Sequence, residues 1–166
     1  MMRTTPLRRR SRRAAIALPV ALTLVWTLSG ASFFVGNYLA GRWARGPVRR
    51  RCGLLWGGLA GAAVAVIAVF TTNNLPVALV ATTGMGFSHA IVAALVTTMI
   101  ADRGGDLTAP AYSINAAGMS LGVFAGAVIA GVGLSVAGSL GMGISLLLPS
   151  LLAFVLVPAA LFTTVE

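Results

Sequence analysis

The sequence predicts an all-α fold, a polytopic membrane bundle of about five transmembrane helices, on three observations. Of 166 residues, 58% are hydrophobic and only 9% are charged. A soluble domain carries roughly 25% charged residues, so these charges are too few to clothe a water-facing surface, and the mean hydropathy of +0.95 agrees. The apolar residues also fall into long runs. Each is close to the roughly 20 residues that a helix needs to cross the hydrocarbon, and short polar or Arg-rich stretches separate them.

In chain order, residues 1–14 form an Arg-rich segment, and residues 15–162 hold the spans. The first span is expected over 15–40. The second, 53–71, follows the basic stretch 41–52. Thr71-Thr72-Asn73-Asn74 makes a short polar turn before the third, 75–101, which is entered through Pro76. Residues 102–108 are polar, with Gly104-Gly105 as a breaker. The fourth span, 110–136, meets the fifth, 139–162, across a very short turn at Gly138, and 163–166 is a tail. Turns this short make neighbouring helices antiparallel.

All twelve basic residues are arginine: six lie between Arg3 and Arg13, five between Arg42 and Arg51, and Arg103 is apart from both. A net charge of +9 is compatible with nucleic acid. Both clusters flank apolar spans, however, as topology determinants and lipid-headgroup contacts do, so the bilayer is the expected partner and nucleic acid is not. An Arg-rich start before an apolar run also fits a secretory signal. Everything downstream is apolar too, so a first membrane helix fits better. Cys52 is the only cysteine, which excludes an internal disulfide and a cysteine-based metal site. The three acids, Asp102, Asp106 and Glu166, all lie outside the spans. With no metal cluster, phosphate loop or nucleophile–base set in the pattern, neither an enzyme, a cofactor nor an ATP-driven mechanism is expected.

Small residues recur at helical spacing. Gly53, Gly57 and Gly61 share one face of the second span; Gly118, Gly122 and Gly126, followed by Ala130, share one face of the fourth. Helices in lipid gain nothing by hiding leucine from water. They associate through close backbone approach, which such faces allow. These glycines are therefore assigned to helix packing, within the chain or in a homo-oligomer.

Ionisable groups inside a membrane default to function. His89, near the middle of the third span, is the candidate, as a hydrogen-bonding group for substrate or a proton relay. An interhelical hydrogen bond to Ser or Thr is the competing role. Asn115 and Ser113 are the accompanying substrate-binding candidates, with Ser88, Thr97 and Ser120 as further polar positions. Trp26, Trp43 and Trp56 are expected at the interface or facing lipid. Charge counting ties for orientation, because a single span separates the two Arg clusters and Arg103 falls on the side of the second.

Two stretches carry a resemblance. Gly36-Asn37-Tyr38-Leu39-Ala40-Gly41-Arg42-Trp43-Ala44-Arg45-Gly46, followed by Arg49-Arg50-Arg51, resembles the signature between the second and third helices of major facilitator transporters. That signature recurs more loosely between the eighth and ninth. Leu39, Arg42 and the basic run match. Gly36 lies one position early, Gly46 two positions late, and Gly41 stands where the family has Asp. Asn115, with Gly118, Gly122, Gly126 and Gly131, resembles the eleventh helix of the drug and sugar efflux group.

The resemblance implies helices eight to twelve of a transporter that moves a small organic molecule, with efflux as the direction. It places the 42–51 loop and the C-terminus in the cytoplasm of a cell-membrane protein. It also implies that Gly36, Leu39, Arg42, Arg45 and Gly46 form a gating loop. Gly41 cannot make the pair that the family's Asp makes, so gating is either weakened here or carried by Arg42 alone, and a cytoplasmic anchor with no gating role is the alternative. Such transporters bind substrate between two repeats near the midplane. Five helices supply one side of that interface, so an N-terminal half is an expected partner and the chain alone is expected to be inactive. The alternative is a non-transporting scaffold or truncated remnant whose glycine faces only pack.

Overall fold

The computed structural model describes residues 6–162, with side chains over 19–156. Four α-helices carry the chain: α1 (Pro6–Trp43), α2 (Val48–Thr71), α3 (Leu75–Arg103) and α4 (Thr108–Phe162), with a short 3-10 turn at Gly105–Leu107. The described residues contain no strand. All four helices are long and apolar enough to cross a membrane. The chain is an all-α, multi-pass membrane protein.

The helices run further than hydropathy alone places them. α1 starts at Pro6, inside the Arg-rich segment, and ends at Trp43. α2 starts at Val48, so Arg49, Arg50 and Arg51 are helical and only 44–47 remain as connection. Arginine is a good helix former, and Pro47 immediately before the first helical residue presets the entry. Residues 1–5 and the 163–166 tail lie outside the described residues.

α4 is 55 residues long, which would span about 80 Å if straight. It is not straight. Ala137 (φ −136°, ψ 22°) and Gly138 (φ 64°, ψ −149°) leave helical geometry, and Gly138 occupies a region that is essentially glycine-only. The chain folds back there: Gly133 lies directly against Gly141 and Ser145, which would be far apart on a continuous helix. Two arms result, 108–136 and 139–162.

α3 is the centre. On one side it lies parallel to α1 along a stripe of small residues. Ser29, Ser32, Gly36 and Ala40 from α1, with Ala44 just past its end, meet Thr83, Gly86, Phe87, Ala90 and Ala94 from α3. Ala40, Ala44 and Ala90 are fully buried. Ser32 Oγ donates to the Thr83 carbonyl across this seam at 2.8 Å, and interhelical bonds of this kind contribute about 0.6 kcal/mol in membranes. On its other side α3 lies antiparallel to α2. Ser88 packs on Gly58 and Gly61, and Leu55, Ile91 and Leu95 complete the core with Trp43 and Phe87 beside them. The second arm of α4 covers α2 through Gly143 against Phe70 and Trp56 edge-on to Phe154, with centroids 4.0 Å apart. Trp43 and Trp56 thus pack within the protein. Trp26 remains 78% exposed.

The packing assigned to Gly53, Gly57 and Gly61 is therefore offset. Gly58 and Gly61 meet α3, while Gly53 and Gly57 face open space. A methyl added at Gly61 would sit 2.6 Å from Ser88 Oγ. Gly61→Ala is expected to lower stability by about 1 kcal/mol, and Ser88→Ala in the same chain to restore most of it. Loss of helicity on titration with dodecyl sulfate measures both; an undiminished loss in the double mutant would contradict the contact.

Candidate functional site

The four helices alternate in direction, which gathers the 44–47 connection, the start of α2, the end of α3 and the Gly105–Leu107 turn at one end of the bundle. This end holds Arg42, Arg45, Arg49, Arg50, Arg51 and Arg103 together with Asp102 and Asp106. Arg51 is the organising side chain. Its guanidinium pairs with the Asp102 carboxylate, and its Nε donates to the Gly46 carbonyl at 3.1 Å. One side chain thus ties the start of α2, the preceding connection and the end of α3. The pair is partly solvated, with side chains 23% and 48% exposed. An ion pair in such a setting contributes less than about 1 kcal/mol. Its effect is positional.

The residues of the expected gating loop separate into two groups. Gly36 is not in a loop. It is buried mid-helix, where a Cβ would lie 2.9 Å from both the Phe87 carbonyl and Ala90 Cβ. Leu39 is half-buried on the same helix. Arg42 is exposed and lies over the Tyr38 ring, 5.0 Å from its centroid. Arg45 is exposed in the connection, and Gly46 supplies the carbonyl that Arg51 holds. Arg51 makes a cross-helix ion pair at this end. Gly41, in the position expected for Asp, faces open space. Asp102, from the end of α3, provides the carboxylate.

The substrate-binding candidates do not converge. His89 is exposed near the middle of α3, on the strip between the seam to α1 and the seam to α2. Asn115 and Ser113 lie on the first arm of α4, and their polar atoms are used within that helix. Ser113 Oγ donates to the Ala109 carbonyl at 3.2 Å, and Asn115 Nδ2 donates to Met119 Sδ at 3.8 Å. That arm is held to α3 by Tyr112, whose hydroxyl donates to the Thr97 carbonyl at 3.0 Å. Gly118, Gly122 and Gly126 have nothing within 4 Å of an added Cβ, so among the described residues this ladder packs on no other helix. Ala130, one turn further, is buried.

Three features escape a search for glycine repeats and isolated charges: the Ser32–Gly36–Ala40–Ala44 stripe, its Gly86–Ala90–Ala94 counterpart, and Asp102. The stripes repeat every four residues, but alanine and serine carry much of them. Among the described residues, no group of His, Cys, Asp and Glu is placed to hold a metal ion. No protein-family pattern, curated protein or solved structure matches the chain.

Proposed function

We propose that the chain is one part of a secondary transporter of the major facilitator type, exporting a small organic molecule across the cell membrane. In this reading the arginine-rich end lies in the cytoplasm. A second half, from another chain or a longer product, supplies the other side of the substrate site.

His89 carries this reading. An ionisable side chain in mid-membrane is rare, and it faces a bundle interior or a water-filled cavity rather than lipid. In this chain it sits exposed on the strip that neither α1 nor α2 covers. A further protein surface or an aqueous pathway over that strip accounts for its presence. Ser113 and Asn115, on a different helix, belong to the same reading only if the missing half draws substrate between the arms. The arginine-rich connection, drawn onto Asp102 through Arg51, supports it as a means of holding one face closed.

Vesicles containing only this chain are expected to show no proton-driven substrate uptake above protein-free vesicles; robust uptake would refute the need for a second half. In the assembly purified from native membranes, His89→Ala is expected to lower export on the order of tenfold, about 1.4 kcal/mol of lost interaction. A packing-only scaffold would give no export in that assembly.

A further inference from the structure

We propose that the groove between the start of α2 and the end of α3 is a binding site for an anionic phospholipid. This inference is independent of the transport reading. The groove has a volume of about 230 Å³. Val48, Cys52 and Leu55 from α2 and Met99 from α3 form an apolar floor; Arg51, Arg103 and Asp102 stand beside it. Positions 48, 51, 52 and 55 follow helical i, i+3, i+4, i+7 spacing, and 99, 102 and 103 do so on the facing helix, so both walls are continuous helix faces.

The chemistry of these walls selects an amphiphile. The volume falls below the 300–1,000 Å³ of pockets for drug-sized ligands. It suits a headgroup with the first methylenes of its chain. Exposed Arg45, Arg49 and Arg50 surround the Arg51–Asp102 pair with a positive field. Arginine binds phosphate bidentately through its planar fork. The Arg51–Asp102 pair holds one guanidinium at the groove, with nitrogen donors to spare beyond the Gly46 carbonyl. Because the floor belongs to membrane-spanning helices, the occupant approaches from the bilayer: phosphate at the arginines, acyl chain along Cys52, Leu55 and Met99. A nucleic-acid strand would have no use for that floor.

The single cysteine gives a direct readout on the unaltered protein, because Cys52 lines the groove and is half-buried. The chain, purified in an uncharged detergent, is treated with N-ethylmaleimide, and alkylation of Cys52 is followed by intact mass. Phosphatidylglycerol is expected to slow alkylation about tenfold. Phosphatidylcholine with the same acyl chains, or inorganic phosphate, is expected to leave the rate unchanged. Equal protection by phosphatidylcholine would mean acyl packing without headgroup recognition. Protection by phosphate alone would mean a free-anion site, and no protection by phosphatidylglycerol would mean no site; each result overturns the proposal. As a second measurement, Met99→Trp fills the floor and is expected to cut the phosphatidylglycerol retained in native mass spectrometry about tenfold. Full retention in Met99→Trp would reduce the interaction to diffuse surface charge and overturn the groove as its seat.

Discussion

Gly86→Leu is expected to separate α1 from α3 and to destabilise the bundle by about 3 kcal/mol. A Cβ at Gly86 would lie 2.6 Å from the Ser29 carbonyl oxygen and 2.7 Å from Ser32 Oγ. The serine hydroxyl can rotate away, but the carbonyl belongs to the α1 backbone and cannot. The helix must move outward, and that movement also stretches the bond from Ser32 Oγ to the Thr83 carbonyl. Close backbone approach is the main source of helix affinity in lipid, so a small displacement loses contacts along the whole stripe down to Ala44. Gly84 supplies the control. It lies on the same helix, and nothing comes within 4 Å of an added Cβ. Gly84→Leu should be nearly neutral in a dodecyl sulfate titration while Gly86→Leu shifts the midpoint. Equal midpoints for the two would refute the α1–α3 seam.

Gly141→Leu is expected to force open the hairpin in α4, at a cost of about 3 kcal/mol. The new Cβ would collide with the Gly133 carbonyl and with Ala137 Cβ, which lies 2.8 Å away. The first of these is backbone on the facing arm, so no rotamer relieves it. With the arms apart, the second arm loses its registration on α2, where Gly143 meets Phe70 and Trp56 meets Phe154. Trp56 fluorescence should therefore shift in Gly141→Leu at detergent concentrations where the wild-type chain is intact. Gly131→Leu, on the open side of the first arm, should leave both spectrum and stability unchanged. A hairpin indifferent to Gly141→Leu would show that the arms are not in backbone contact.

These two glycines show how much of the molecule was legible beforehand. Gly138 was readable as a turn, because a short break between two apolar runs must reverse the chain and glycine alone tolerates its backbone. Gly141 and Gly133 were not, since their role exists only once the arms face each other. The candidate site divides in the same way. His89 stands out in any sequence reading as an ionisable residue amid apolar ones. Asp102 reads as an ordinary loop acid until α3 is seen to extend through it and carry it to Arg51. Arg42 is marked by its place in the motif, and the structure adds that it lies over Tyr38 on its own helix.

The sequence by itself determined the solvent, the secondary structure and the approximate crossings. Hydropathy is a local property, and a run of some 20 apolar residues has no alternative to a helix in hydrocarbon, where every backbone group must be satisfied within its own segment. Tertiary structure alone decided which faces meet. Lipid rewards no apolar face over another, so the choice rests on steric fit between two particular helices. That fit brought Gly36 and Gly86 into the α1–α3 seam, set Gly58 and Gly61 on Ser88, and left Gly118, Gly122 and Gly126 open. It also placed Arg51, among five neighbouring arginines, within reach of Asp102.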